Sequence, residues 1–188
     1  MRSFLETDRL TLRPFAEDDL DRLVELNSDP EVTRFINGGR PIPRTTLRAR
    51  SLPRVTHIHP CWGTPGYWVA EERATGEFLG WFEFRPLVDD SPAEVELGYR
   101  LRAASWGRGY ATEGSLALID KGFAELGVER VTANTMAVNA RSRRVMEKSG
   151  LSFDHAFTGD WPEAIPGSEH GEVAYVLTRA DWAARRHP

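Results

Sequence analysis

The chain has 188 residues, 40% hydrophobic and 28% charged, with a formal net charge of −4 and a single cysteine. That size suits one buried core rather than two full domains, and the mild acidity argues against nonspecific nucleic-acid binding. There is no apolar run of about 18 residues to span a membrane. Cys61 alone excludes an intrachain disulfide, and charges at Arg2, Glu6, Asp8 and Arg9 argue against a secretory leader, so the expected compartment is the cytoplasm.

In chain order, Arg9–Arg13 reads as a strand with Leu10 and Leu12 on one face, ended by Pro14. Asp18 and Asp19 lead into a helix carrying Leu20, Leu23, Val24 and Leu26, and their charge suits its N-terminus. A second helical region is expected over Arg44–Leu52, then a loop from His57 to Gly66 containing Pro60, Gly63 and Pro65. Strands are expected at Tyr67–Glu72, Phe78–Arg85 and Glu94–Leu101, the first two joined by a hairpin at Ala74–Glu77. Leu116, Ile119, Phe123 and Leu126 recur at helical spacing before Gly127. Arg130–Thr135 reads as a strand, Asn139 as the cap of a helix running to Ser149, and Gly150 as its terminator. Leu151–Phe157 and Glu172–Leu177 are closing strands around a polar loop, Gly159–Gly171. Hairpins followed by strand-helix-strand-helix-strand predict one domain of mixed α/β class, nearly three-layered.

The most informative segment is Trp106-Gly107-Arg108-Gly109-Tyr110-Ala111, which joins a strand to a helix. Such a turn presents backbone N–H groups where the helix dipole favours an anion, although two glycines at this spacing are also an ordinary turn. No Lys-Ser/Thr follows to make a P-loop, and Gly107, Gly109 and Gly114 miss the dinucleotide spacing. Arg141, Arg143, Arg144 and Lys148 are spread around one helix, so one or two could meet a phosphate while the rest are solvated. His57, His59 and Cys61 are closely spaced, but no fourth ligand joins them, and no metal is expected.

Glu96-Leu97-Gly98-Tyr99 followed by the Trp106–Glu113 run, with Asn139-Ala140-Arg141-Ser142-Arg143-Arg144-Val145-Met146-Glu147-Lys148-Ser149-Gly150-Leu151 further on, resembles the GCN5-related N-acetyltransferase (GNAT) superfamily. The opening E-T-D-R-L-T-L-R-P-F, Asn27–Val32 and the closing G-E-V-A-Y-V-L resemble in particular the branch that acetylates N-termini of ribosomal proteins. The resemblance covers nearly the whole chain and implies a single domain over 1–188 with a core of about 8–180. It implies a mostly antiparallel twisted sheet flanked by helices, splayed at a cofactor edge. Acetyl-CoA would be the cosubstrate, its pyrophosphate on the amides of Arg108, Gly109, Tyr110 and Ala111. Leu97 and Tyr99 would line the splayed strand, with Asn139 facing the pantetheine arm and Ser142 the thioester sulfur. Asn139 and Ser142 also have plain helix-start explanations. Trp106 departs from the usual Gln or Arg of the superfamily. Met146 replaces a tyrosine that commonly protonates the departing thiolate, which leaves Ser142, directly or through water, or no dedicated acid.

Attack by an amine needs a neutral nitrogen, so a carboxylate or an ordered water beside it is useful. Glu96 shares a strand face with Glu94 and Gly98 and is the first candidate, with Glu83 in reserve. Charge developing on the carbonyl oxygen would meet a backbone N–H near Gly98 or Tyr99. The acceptor expected is a primary amine, either a small molecule or a protein N-terminus. Its contacts are expected from Asn37–Pro43, the Trp62 loop and Trp161–His170, including Asp160, Glu163 and Glu169. Trp68, Trp81, Phe82 and Phe84 are expected in the core. A homodimer is left open. The alternatives are another acyl-CoA as donor, or a noncatalytic CoA-binding domain.

Overall fold

The computed structural model describes residues 3–159, 161 and 163–186. Alternation in the opening segment gives β1 (Leu5–Glu6) and β2 (Leu10–Pro14), with Leu10 and Leu12 fully buried. Helix α1 (Leu20–Ser28) buries Leu20, Leu23 and Leu26. The acid before it does more than meet the helix dipole. Asp19 is buried and accepts both terminal nitrogens of Arg13 at 2.8 Å, while Glu71 accepts from Arg13 and Arg22.

Asp29 then accepts the Glu31 amide and caps α2 (Pro30–Asn37), a helix that the apolar pattern did not predict. The helix expected at 44–52 runs on as α3 (Arg44–Thr46), a π-wound turn at Leu47–Ser51 and α4 (Leu52–Val55). The expected loop from His57 to Gly66 contains a short hairpin, β3 (Ile58–His59) with β4 (Thr64–Pro65).

An antiparallel meander follows, of β5 (Tyr67–Glu72), β6 (Phe78–Val88) and β7 (Ser91–Leu101). Then come α5 (Tyr110–Glu125), β8 (Arg130–Met136), α6 (Ala140–Lys148), β9 (Ser152–Phe157), β10 (Glu172–Thr178) and α7 (Arg179–Arg186). One eight-stranded sheet runs β1-β2-β5-β6-β7-β8-β10-β9. Its pairings are antiparallel except β7 with β8, which are parallel and matched only over Glu94–Glu96 and Arg130–Thr132. Beyond Glu96 the two strands part. This is the mixed α/β, mostly antiparallel sheet that the resemblance implied, but the splay lies between two internal strands rather than at an edge of the sheet.

Helix α5 covers the sheet with a face that shares Ile119 and Phe123 with the expected one but is turned towards Leu118. Leu118, Ile119 and Phe123 are buried, whereas Leu116 is 42% exposed. Gly114 explains the orientation: a Cβ there would lie 2.3 Å from Phe82 Cζ, so the bare backbone settles on the ring. Trp68, Trp81, Phe82 and Phe84 are core residues, as expected. Among the described residues no helix is long and apolar enough to cross a membrane.

Candidate functional site

The parting of β7 from β8 is the centre of the site. The Arg102 amide bonds to the Leu79 carbonyl and the Phe84 amide to the Gly66 carbonyl, which fixes the direction of every backbone group between them. Residues 81, 83 and 85 of β6 bond towards β7, and their partners Arg100, Gly98 and Glu96 bond back. Leu97 and Tyr99 therefore turn their backbone groups towards β8, and at Tyr99 no β8 residue is paired to receive them. Of the two expected amide donors, Tyr99 faces the gap and Gly98 does not, because the Gly98 amide is directed to β6.

At the C-terminal end of β7 the chain enters the glycine loop. Gly107 and Gly109 have φ of 73° and 85°, a region open to glycine and strained for other residues. Among the described residues, the amides of residues 107–112 donate to no protein acceptor. Arg108, Gly109, Tyr110 and Ala111, all named from sequence, are thus together as backbone donors at the N-terminus of α5.

The Tyr110 side chain has a different role. It is buried, donates to Glu72 at 2.6 Å and lies between Arg9 and Arg108, 4.7 and 4.9 Å from its ring. Arg9 also donates to the Arg108 carbonyl at 2.9 Å and is held by Glu113, so the residue just before β2 braces the loop. Nothing in the local sequence announces that brace. Trp106 is anchored by a bond from its indole N–H to the Leu101 carbonyl, with Arg141 over its ring at 5.2 Å. Of the basic cluster, Arg141 is therefore beside the loop, while Arg143 is spent on Tyr175 and the Ala137 carbonyl.

Across the gap stands the first turn of α6. Asn139 accepts the Ser142 amide at 3.3 Å and donates to Thr135, which is the capping role. Ser142 meets the β7 strand directly: the Tyr99 hydroxyl lies 3.0 Å from Ser142 Oγ and 2.9 Å from its carbonyl oxygen. Burial pushes the Tyr99 phenol well above its usual pKa, so it stays protonated. Met146 is buried in the core.

The opposite face of β7 carries the carboxylates. Glu96 is the last residue in register with β8, and Asn134 donates to it at 3.3 Å. Arg85, its partner on β6, bridges Glu96 and Glu83. Glu83 also accepts the Tyr67 hydroxyl at 2.6 Å, and its carboxylate occupies the space a Cβ on Gly98 would need. Burial, aided by the Glu83 charge, raises the Glu96 pKa; Arg85 opposes the shift without cancelling it. Sequence reasoning missed Arg85 and Tyr67. The signal was present in the alternation of Glu83 and Arg85 along β6, but it becomes readable only once the β6–β7 register is known.

Other expectations change. Trp62, in the middle of one expected acceptor loop, is half-buried, stacks on Phe84 and donates its indole N–H to the Leu126 carbonyl. The segments Asn37–Pro43 and Trp161–His170 do come together, through Arg40–Glu163 and the approach of Gly38 to Ile165. Glu169 accepts the Gly167 amide, and Asp160 lies outside the described residues. His57 and His59 converge with Asp89 rather than Cys61, ligand atoms within 4.8 Å of one another. The bonds from His59 and His57 to Asp89, 2.9 and 3.3 Å, account for that grouping. Burial raises the Cys61 pKa, keeping it a thiol.

The acetyltransferase (GNAT) domain family model matches residues 9–152. The chain is 32% identical over 191 residues to the FsC-acetyl coenzyme A-N(2)-transacetylase of Aspergillus fumigatus, covering 98% of this chain and 80% of that one. It is 32% identical over 157 residues to the uncharacterized N-acetyltransferase p20 of Bacillus licheniformis, covering 80% of this chain and 86% of that one. Among solved structures, an acetyltransferase from Agrobacterium tumefaciens superposes with a TM-score of 0.66 at 26% identity over 94% of both chains. The aminoglycoside acetyltransferase AAC(6')-Ib, solved with coenzyme A, shares the fold at a TM-score of 0.72 and 20% identity, over 94% of this chain and 99% of that one. With its splayed sheet, its glycine loop and a family match over most of its length, this chain belongs to the GNAT acetyltransferase family.

Proposed function

We propose that the protein transfers the acetyl group of acetyl-CoA to a primary amine by direct attack in a ternary complex. The observation that carries this reading is the run of unbonded amides at 107–112, beside a strand gap that opens at Glu96. Those amides receive the pyrophosphate, with Arg141 and Arg108 adding positive charge. Leu97 and Tyr99 border the pantetheine path on one side, and Asn139 and Ser142 on the other.

Bound acetyl-CoA supplies the thioester: the amine lone pair forms the C–N bond, the C–S bond breaks and its electron pair leaves on sulfur. Glu96 takes the amine proton, directly or through a water it orders, and burial with the Glu83 charge makes it a stronger base than an ordinary carboxylate. The Tyr99 amide donates to the carbonyl oxygen as charge develops there. Ser142 passes a proton from solvent water to the thiolate, while the Tyr99 hydroxyl at 3.0 Å keeps its own proton and holds Ser142 Oγ in place, since Met146 cannot donate.

Acceptors within this reading include a protein N-terminus, as in the branch that acetylates ribosomal proteins, and small amines. The N(2)-transacetylase name of the Aspergillus relative supports nitrogen as the acceptor atom. We extend the reading to one catalytic domain, since a single sheet takes strands from Leu5 to Thr178, and to a cytoplasmic location from the lone cysteine.

Calorimetric titration with acetyl-CoA, compared with desulfo and longer-acyl analogues, tests this first. The expected result is saturable binding at one site per chain, followed by amine-dependent release of free thiol. A folded protein that binds none of them overturns the reading. Binding without turnover of any amine leaves the noncatalytic alternative, and preference for a longer acyl chain replaces the donor.

A further inference from the structure

On the acceptor side of the sheet, a cavity of about 390 Å³ is lined by Pro53, Arg54, His57, His59, Tyr67, Arg85 and Asp89. It adjoins the reacting centre, because Tyr67 and Arg85 in its wall are the same groups that bond to Glu83 and Glu96. Formal charge around it is even, with Arg54, Arg85 and Arg100 against Glu83, Asp89 and Glu96, but the contacts between them are not. Glu83 and Glu96 share one guanidinium, that of Arg85, and Asp89 is engaged with two histidines. Arg54 and Arg100 have no carboxylate within 4 Å among the described residues. Arg54 lies over the Tyr67 ring at 5.2 Å, and Arg100 over Trp81 at 5.0 Å, with only the Asn27 side-chain oxygen as acceptor. Desolvation, with the charge of Arg54 added, pulls Arg100 down to about 10, and the more distant Glu83 charge opposes the shift without cancelling it.

A polycationic acceptor would bring more positive charge against Arg54, whose guanidinium has no carboxylate in contact among the described residues. A carboxylate on the acceptor supplies what is missing, in a form that a guanidinium binds through paired N–H donors. We propose that this cavity is the acceptor subsite and takes an amine that also carries a carboxylate, with the nitrogen beside Glu83 and Glu96 and the carboxylate on Arg54. The inference rests on the acetyl-transfer reading and narrows its acceptor class. His57 and His59 form the outer wall, and burial lowers the His59 pKa, so it lines the cavity as a neutral ring at neutral pH.

The test compares glycine, β-alanine, γ-aminobutyrate and L-phenylalanine with their carboxamides, reading thiol release from acetyl-CoA. The acid of at least one pair should exceed its amide about tenfold in kcat/KM, and Arg54→Gln should bring that ratio close to one. Amides used as well as acids in every pair, or a ratio unmoved by R54Q, overturns the proposal. If no pair releases thiol, titration of the N-acetylated acids and amides into the CoA-saturated protein decides it separately. Binding of an acid that is stronger than its amide and lost in R54Q supports the subsite. Equal binding, or none, overturns it. Failure of acetyl-CoA itself to bind counts against the acetyl-transfer reading, and the same N-acetylated acids and amides, titrated without CoA, then judge the subsite by the same criteria.

Discussion

The Tyr99 hydroxyl stands 3.0 Å from Ser142 Oγ, joining the strand on one side of the gap to the helix on the other. It fixes the serine hydroxyl beside the gap, where Met146 offers no proton donor. Tyr99→Phe should therefore lower kcat by about tenfold or more, within the range for loss of a general acid or of the group that holds it. Ser142→Ala should do the same, and the double variant should cost little more than either alone. Acetyl-CoA affinity by calorimetry should change far less. Additive effects of the two variants would show that Tyr99 does not act through Ser142.

Glu96→Gln should retain CoA binding and lose roughly 100-fold or more in kcat/KM near neutrality. Burial and the Glu83 charge raise the Glu96 pKa, so the acidic limb of the wild-type pH profile should lie above the ordinary carboxylate value of about 4.3. The base is active when deprotonated, so activity rises with pH through that limb. A limb that persists unchanged in E96Q would assign the base to another group, with Glu83 next to be replaced.

Gly109 holds φ at 85°, and a Cβ there would come 3.3 Å from an Arg9 nitrogen. Gly109→Ala should weaken CoA binding by about tenfold, from backbone strain of about 1–3 kcal/mol and the turning of amides away from the phosphates. The same titration with dephospho-CoA and with a pantetheine fragment locates the loss: it should vanish for the fragment, which lacks the pyrophosphate.

Gly114→Ala places a methyl 2.3 Å from Phe82 Cζ, where the ring is walled in by the sheet. Better helix propensity does not offset such overpacking, and thermal unfolding should show a loss of about 1–3 kcal/mol. A stabilised variant would show that α5 can lift from β6 without penalty.

Burial would raise the Asp19 pKa, but hydrogen bonds from Arg13 and the Ala16 amide, with the charges of Arg13 and Arg22, hold it below its usual range. A carboxyl lowered in the folded state stabilises fully above its unfolded pKa of about 3.9, and that contribution is lost as pH falls through the folded value. Asp19→Asn should cost about 3 kcal/mol at neutral pH, since it leaves Arg13 buried with one partner fewer. Its denaturation midpoint should also depend less on pH below about 4 than that of the wild type.

The run from β7 through the glycine loop, α5, β8 and α6 was legible because its signals are local. Alternation at Glu94–Leu101, the Asn139 cap, and Gly127 and Gly150 after their helices each act within a few residues. The α2 helix was missed although Asp29-Pro30 carries a cap and an N-terminal proline, because the apolar pattern drew attention elsewhere. The partners of Trp62 were likewise not legible: Pro60, Gly63 and Pro65 mark an irregular segment, but local sequence does not reveal that Phe84 and the Leu126 carbonyl lie beside its ring.

By itself the sequence determined the order of elements, the face of β7 that carries Glu96 and the backbone freedom of the cofactor loop. These follow from the two-residue period of strands, the 3.6-residue period of helices and the missing Cβ of glycine. Tertiary structure alone decided that Arg85 couples Glu83 to Glu96, that Arg9 braces a loop 99 residues away, and that Tyr99 reaches Ser142. Among the described residues it also left Arg54 and Arg100 with no carboxylate within 4 Å. Such relationships depend on strand register and on helices packing across the sheet, where contact between distant segments is set by burial of the whole core rather than by any short stretch of chain.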